Sequence, residues 1–187
     1  MVQMANAYIE FQVGDPSAAG WMNLFLRRCI GEPGSRFRFD FIDANDPAHS
    51  VVKVNGEGAY AFLAEELAKS GASRPPSVTV SLLESIDEDV FPLDPADIEA
   101  TWFRDPSKTD GGFVAHTDAC ARLVHAASGM VAQCTQHRSR ARNHAEALSL
   151  LRARVVASQH LFSTAGAVAR KLTESDLPAL QSFRRPG

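Results

Sequence analysis

Three phenylalanines at alternate positions, Phe37, Phe39 and Phe41, with Arg36, Arg38 and Asp40 between them, do most to limit what this chain can become. A period of two puts the rings on one side of an extended strand and the charges on the other, so the segment reads as one face of a half-buried sheet. Such a stripe can stack nucleobases, but it more often packs a core, and that is the reading adopted. The flanks supply partners. Tyr8–Val13 alternates apolar and polar residues, and Val51–Val54 and Val78–Leu83 are short β-branched runs. The break at Gly14-Asp15-Pro16-Ser17 opens a helix to about Ile30 with Trp21, Leu24, Phe25 and Cys29 at helical spacing, ended by Gly31-Glu32-Pro33-Gly34. Gly56-Glu57-Gly58 leads into a second helix, Ala59–Ala68. A β-α-β-β-α-β order predicts one α+β domain.

The acidic run Glu84–Asp89, followed by Pro92 and Pro95, marks a boundary near residue 92. Beyond it Ile98–Phe103 is a strand, and residues 105–112 hold only turn formers and polar side chains, an exposed mobile loop. Ala121–His125 and Met130–Cys134 read as a hairpin across Ala126-Ala127-Ser128-Gly129. Asn143 with Glu146 three residues on resembles an N-cap pair, and the helix after it carries Leu148, Leu151 and Val155 on one face. A further short helix, Ala165–Leu172, and a weakly ordered tail complete the chain. The division is therefore 1–92, 93–158 and 159–187.

With 45% hydrophobic and 22% charged residues, the chain is not of disordered composition. It has no run approaching the ~18 apolar residues of a membrane span, and its first residues do not read as a secretory signal. Cys29, Cys120 and Cys134 are odd in number and lack CxxC spacing, which fits a reducing cytosolic or organellar compartment. Charge is uneven. Residues 1–100 hold 7 Lys+Arg against 16 Asp+Glu, and residues 101–187 hold 12 against 6. An acidic front and a basic back allow polyanion binding by the back half, although arginine-rich helices are often only solvated.

Between residues 98 and 155 the order of residues becomes specific. It runs Thr101-Trp102-Phe103-Arg104, a polar loop, Gly111-Gly112, Thr117-Asp118-Ala119-Cys120-Ala121-Arg122, Ser128-Gly129, Arg138-Ser139, Asn143, Ala147 and Leu151. This resembles the peptidyl-tRNA hydrolase domain of class I peptide chain release factors. There a strand leads to a Gly-Gly-Gln loop, a Thr-Asp-Ser-Ala-Val-Arg-like strand, a Ser-Gly turn and an Arg-Ser…Asn…Ala helix entry. Ala7–Gly14, Trp21-Met22, Gly56–Leu63 and Ser77–Asp97 look more weakly like the family's codon-recognition domain and its acidic linker. The resemblance implies a codon-recognition-like α+β domain over 1–92, a hydrolase-type domain over 93–158, and a C-terminal helix and tail. The long helical N-terminal domain of full-length factors has no counterpart, and the size resembles the short ribosome-rescue relatives.

Two departures bear on function. Only Glu65–Pro76 stands where the family's stop-codon loop would be, with neither Ser-Pro-Phe nor Pro-x-Thr, so stop-codon reading is not expected. The Gly-Gly-Gln tripeptide is Gly111-Gly112-Phe113, and the step from Gly112 to Thr117 is one residue shorter than the family's. Phe113 either replaces the glutamine or follows its deletion. In the family the glycines admit a backbone conformation closed to other residues. The glutamine N–H donates to developing oxyanion or leaving-group charge, and its side chain positions water. Any residue but proline keeps the N–H, yet a donor displaced by ~1 Å costs about a hundredfold in rate.

The candidate site is thus Gly111, Gly112 and Phe113 as a degenerate catalytic loop. Lys108, His116, Arg138, Arg140, Arg142, Arg152 and Arg154 form the RNA-binding set that the resemblance implies, arginine suiting phosphate through its planar donor fork. His116, His125, His137, His144 and His160 fall near Cys120 and Cys134, but their spacing matches no standard zinc site, and nothing activates a cysteine nucleophile. No metal or cofactor is expected, and neither membrane nor DNA is an expected partner. The expectation is a cytoplasmic, release-factor-like protein bound to ribosomal RNA and peptidyl-tRNA without stop-codon reading, with little or no release. The alternatives are an active codon-independent hydrolase in ribosome rescue and a protein-binding module that kept only the fold.

Overall fold

The computed structural model describes residues 6–31, 36–46, 48–105 and 118–175, with the backbone alone for Asn45 and for residues 160–175. Strands β1 (Ala7–Val13), β2 (Arg38–Asp46), β3 (His49–Asn55) and β4 (Val78–Glu84) form an antiparallel sheet in the order β2-β3-β1-β4. Helices α1 (Ala19–Gly31) and α2 (Ala59–Ser70) complete the β-α-β-β-α-β unit read from the sequence. Strands β5 (Ile98–Phe103), β6 (Cys120–His125) and β7 (Val131–Cys134) form a second antiparallel sheet in that order, and α3 (Arg140–Ser175) follows. The molecule is mixed α+β, as the sequence indicates.

The first sheet is covered on both faces. Ala7, Ile9 and Phe11 of β1 and Val52 and Val54 of β3 pack against Met22, Phe25, Leu26 and Cys29 of α1 and Ala59 and Leu63 of α2. On the opposite face Tyr8, Ile42 and Val51 join a cluster with Ala121, Leu123, Ala132 and Cys134 of the second sheet and Ala147, Leu150, Leu151 and Val155 of α3. Tyr8 and Glu10 of β1 and Lys53 of β3 therefore face the interior, while Gln12 at the end of β1 stays exposed. Tyr8 Oη donates to Ser149 Oγ at 2.7 Å, Lys53 pairs with Glu146 at 2.8 Å, and Glu10 pairs with Arg154 at 2.9 Å.

Four local readings need correction. On α1 the buried stripe is Met22, Phe25, Leu26 and Cys29, whereas Leu24 is 69% exposed. The phenylalanine stripe holds at Phe37 and Phe39, but Phe41 is 40% exposed. There β2 is an edge strand with a register shift between Phe41 and Asp43, and Ile42, next in the alternation and so on the opposite face, enters the other core. Asn143 is not an N-cap. The helix starts three residues earlier, where the Arg142 N–H donates to Ser139 Oγ at 3.4 Å and the Asn143 N–H to the Ser139 carbonyl. Finally, α3 is one 36-residue helix where two were expected, since no Gly or Pro interrupts residues 156–164. The expected helix end at Glu32-Pro33-Gly34 and the tail from residue 176 lie outside the described residues.

Glycine matters at the entry to α2. Gly56 adopts φ +141° and Gly58 φ +80°, and a Cβ on Gly56 would stand 2.8 Å from the Phe37 ring. That turn lets α2 fold back over the sheet while Phe37 stacks on Phe62 at 4.7 Å between centroids.

Candidate nucleic-acid interface

Residues 106–117 join β5 to β6, and Lys108, Gly111, Gly112, Phe113 and His116 lie among them, outside the described residues. The two ends of this segment are described, and they are tied together. Arg104, just after β5, places Nε 2.8 Å from Asp118 Oδ1. Arg140 Nε, on the first turn of α3, donates to the Asp118 carbonyl at 2.6 Å.

One residue on, the Ala119 carbonyl accepts from Asn143 Nδ2 at 2.7 Å. The same amide donates to the His137 carbonyl at 2.8 Å, and its oxygen accepts from the His137 N–H at 2.9 Å and from Cys134 Sγ at 3.2 Å. Asn143 is fully buried. The exposed Arg104–Asp118 pair contributes about 1 kcal/mol at most. The buried amide is the stronger tie, because each of its partners would lose a hydrogen bond without access to water.

The arginines divide into two groups. Arg138, Arg140 and Arg142 are exposed at the start of α3, beside the tied ends. Arg140 also lies over the Trp102 ring, 5.0 Å from its centroid. His144, one turn further along, stacks on the same ring at 5.9 Å. Arg152 and Arg154, grouped with them in the sequence reading, are instead turned into the molecule. Arg152 is 5% exposed, pairs with Glu88 at 3.6 Å, and its Nε has no hydrogen-bond partner among the described residues. Arg154 bridges Glu10 on β1 and the Val131 carbonyl on β7. Their place on α3 explains this, since Arg154 shares the helical stripe of Ala147, Leu150, Leu151 and Ser158.

A second polar group occupies the seam between the sheets. Glu10 Oε1 is 2.7 Å from His49 Nε2, and Asp43 Oδ2 is 3.9 Å from His49 Nδ1. Burial by itself would raise the Glu10 pKa, but the His49 hydrogen bond and Arg154 outweigh it and hold the carboxyl below its ordinary value. The hydrogen bond to Glu10 raises His49. Among the described residues no group of three His, Cys, Asp or Glu is placed to hold a metal. Burial pushes the Cys134 thiol up to about 11, which leaves it unreactive at neutral pH.

Sequence reasoning missed Asp118 as a fastening point, Asn143 as a buried tie and Glu10–His49 as a seam. A signal for Asn143 was present. It precedes Ala147, Leu150 and Leu151 by four, seven and eight residues, which places it on the apolar stripe.

The RF-1 domain family matches residues 85–181, just over half of the chain. In fold the chain is similar to RF2 of Thermus thermophilus, with a TM-score of 0.61 and 24% identity over 98% of this chain. The chain spans about half the length of that relative, the match covering 55% of it. No helix among the described residues is long and apolar enough to cross a membrane.

Proposed function

Because the chain belongs to the RF-1 domain family, we propose that it is a release-factor-like protein of the translation apparatus. It associates with the ribosome, contacts ribosomal RNA and peptidyl-tRNA without reading a stop codon, and releases peptide weakly or not at all. We read residues 1–92 as the codon-recognition-like part, 93–158 as the hydrolase-like part and 159–187 as a C-terminal extension. The observation that carries the proposal is the contact of exposed Arg140 with Asp118 at one end of the segment bearing Gly111-Gly112-Phe113, with Arg138 and Arg142, both exposed, two residues to either side of it. Three cations there suit phosphates brought close to the loop. The absence of codon reading is supported by the α2–β4 connection, only residues 71–77. Arg152 and Arg154 have no part in this surface, because their charge is spent inside the molecule.

Two measurements test the proposal. Sedimentation with purified ribosomes across a salt series should show binding that weakens as salt rises, and alanine at Arg138, Arg140 and Arg142 should weaken it and flatten the salt dependence. Absence of binding at low salt would move the reading to a protein-binding module. Peptide release from ribosomes carrying peptidyl-tRNA, with an empty, sense-filled or stop-filled A site, should be slow in every state. Phe113→Gln alone should restore little, and glutamine together with one inserted residue should restore more, since donor position and water positioning return together. Fast release by the unaltered chain would instead identify an active codon-independent hydrolase that relies on the Phe113 N–H.

A further inference from the structure

Trp102, Arg140 and His144 form a group at the surface: Trp102 packs on the shared core beneath it, and Arg140, which also fastens Asp118, is exposed above it. Arg140 and His144 are four residues apart, so they lie on one side of α3, and both rest against the Trp102 indole. Arg140 could fasten Asp118 through its Nε without an aromatic beneath it, yet its guanidinium sits 5.0 Å from the indole centroid. Trp102 is half-buried and Arg140 exposed, with Arg142 also exposed on the first turn of α3 and Arg138 exposed two residues before the helix starts. Hydrogen bonding at Asp118 and packing on Trp102 hold the guanidinium in one orientation, which removes much of the entropy cost of ordering a free arginine.

From this geometry we propose that Trp102 and Arg140 form a stacking platform for one unpaired nucleobase of single-stranded RNA, with Arg138 and Arg142 meeting the adjoining phosphates. The indole supports the guanidinium from below, and the open face of the exposed guanidinium is a π surface that accepts any base without reading its edges. The ligand is therefore an unpaired RNA segment, recognised by base stacking as well as by charge. The inference rests on the RNA-contacting reading above and adds the component that Coulomb attraction cannot supply.

The test uses the full chain, its Trp102 fluorescence, and two probes: a hexa-adenylate RNA and an abasic hexamer with the same phosphates. Trp102→Phe identifies the Trp102 signal against that of Trp21. Hexa-adenylate should quench Trp102 and bind about tenfold more tightly than the abasic probe. Arg140→Lys keeps the charge but loses the planar fork, so it should abolish most of that preference, while Arg27→Lys on the exposed side of α1 should leave it intact. Equal affinity for the two probes without quenching overturns the platform and leaves the RNA reading standing. No binding of either probe overturns both. A base preference that survives Arg140→Lys overturns the part assigned to Arg140.

Discussion

A buried amide either finds partners for two N–H groups and two oxygen lone pairs or weakens the core that holds it. Asn143 finds all four, in Ala119, His137 twice and Cys134. Asn143→Leu should therefore lower unfolding free energy by about 3 kcal/mol in a urea titration, well beyond the effect of an exposed polar residue. A loss below about 1 kcal/mol would show that the tie is not energetically important. The Glu10–His49 pair makes a prediction about pH. Glu10 is held below 4.5, so its contribution is complete above that pH and disappears as pH falls through the lower, folded value. His49 is raised above 6.5, so its contribution is complete below that pH and disappears as pH rises through the folded value. Asp43 and Arg154 also face this pair, the first favouring the imidazolium and the second opposing it. The stability gap between the native chain and His49→Gln should be widest from pH 4.5 to 6.5 and narrow towards pH 8. A gap independent of pH would refute the ionic account.

Along α3, the buried Arg152 and the half-buried Arg154, separated by one residue, should behave in opposite ways. Arg152 keeps its charge against a single exposed carboxylate and leaves Nε without a partner among the described residues. Arg152→Met should thus be neutral or stabilising, because a buried cation with poor pairing costs about as much as it returns. Arg154 satisfies both Glu10 and the Val131 carbonyl. Arg154→Met strands them and should cost about 3 kcal/mol, on the scale found when one partner of a buried pair is removed. Denaturant midpoints of the two variants decide this, and equal losses would mean that the pairing at Glu10 carries no special weight. The contrast arises because a helix has one inner stripe: Arg154 meets a strand on each side, and Arg152 meets a turn.

At the scale of the whole molecule, the two sheets are fused. Tyr8, Ile42 and Val51 from the first share a core with Leu123, Ala132 and Leu151 from the second layer. The Thr135 N–H also donates to the Ile42 carbonyl at 3.2 Å across the seam. Two regions that bury one cluster jointly should not unfold separately. Single-tryptophan variants, Trp102→Phe reporting Trp21 on α1 and Trp21→Phe reporting Trp102 on β5, should give coincident urea transitions. Separate midpoints would mean that the shared cluster contributes little to cooperativity. This rigidity also bears on the proposed RNA surface, since the fastened ends at Arg104 and Asp118 are carried by the same body as β1–β4.

What the sequence determined by itself was the order and type of the elements as far as the start of α3, because periods of two and of 3.6 are local properties. The strand at Tyr8–Val13, the helix at Ala59 and the hairpin across residues 126–129 are all where those periods put them. Family membership was legible separately, from the resemblance carried by an ordered string of particular residues from Thr101 to Leu151. Tertiary structure decided which side of each element faces what. The alternation in β1 shows that Tyr8 and Glu10 share a face, but only the position of α3 makes that face an interior with Ser149 and Arg154 in it. Leu24 and Phe41 are apolar and exposed, while Asn143 and Arg154 are polar and enclosed, because burial depends on which neighbour arrives and not on the side chain alone. The arginines of α3 look alike as a sequence, yet their positions around the helix send Arg140 to the surface over Trp102 and Arg154 into the seam against Glu10.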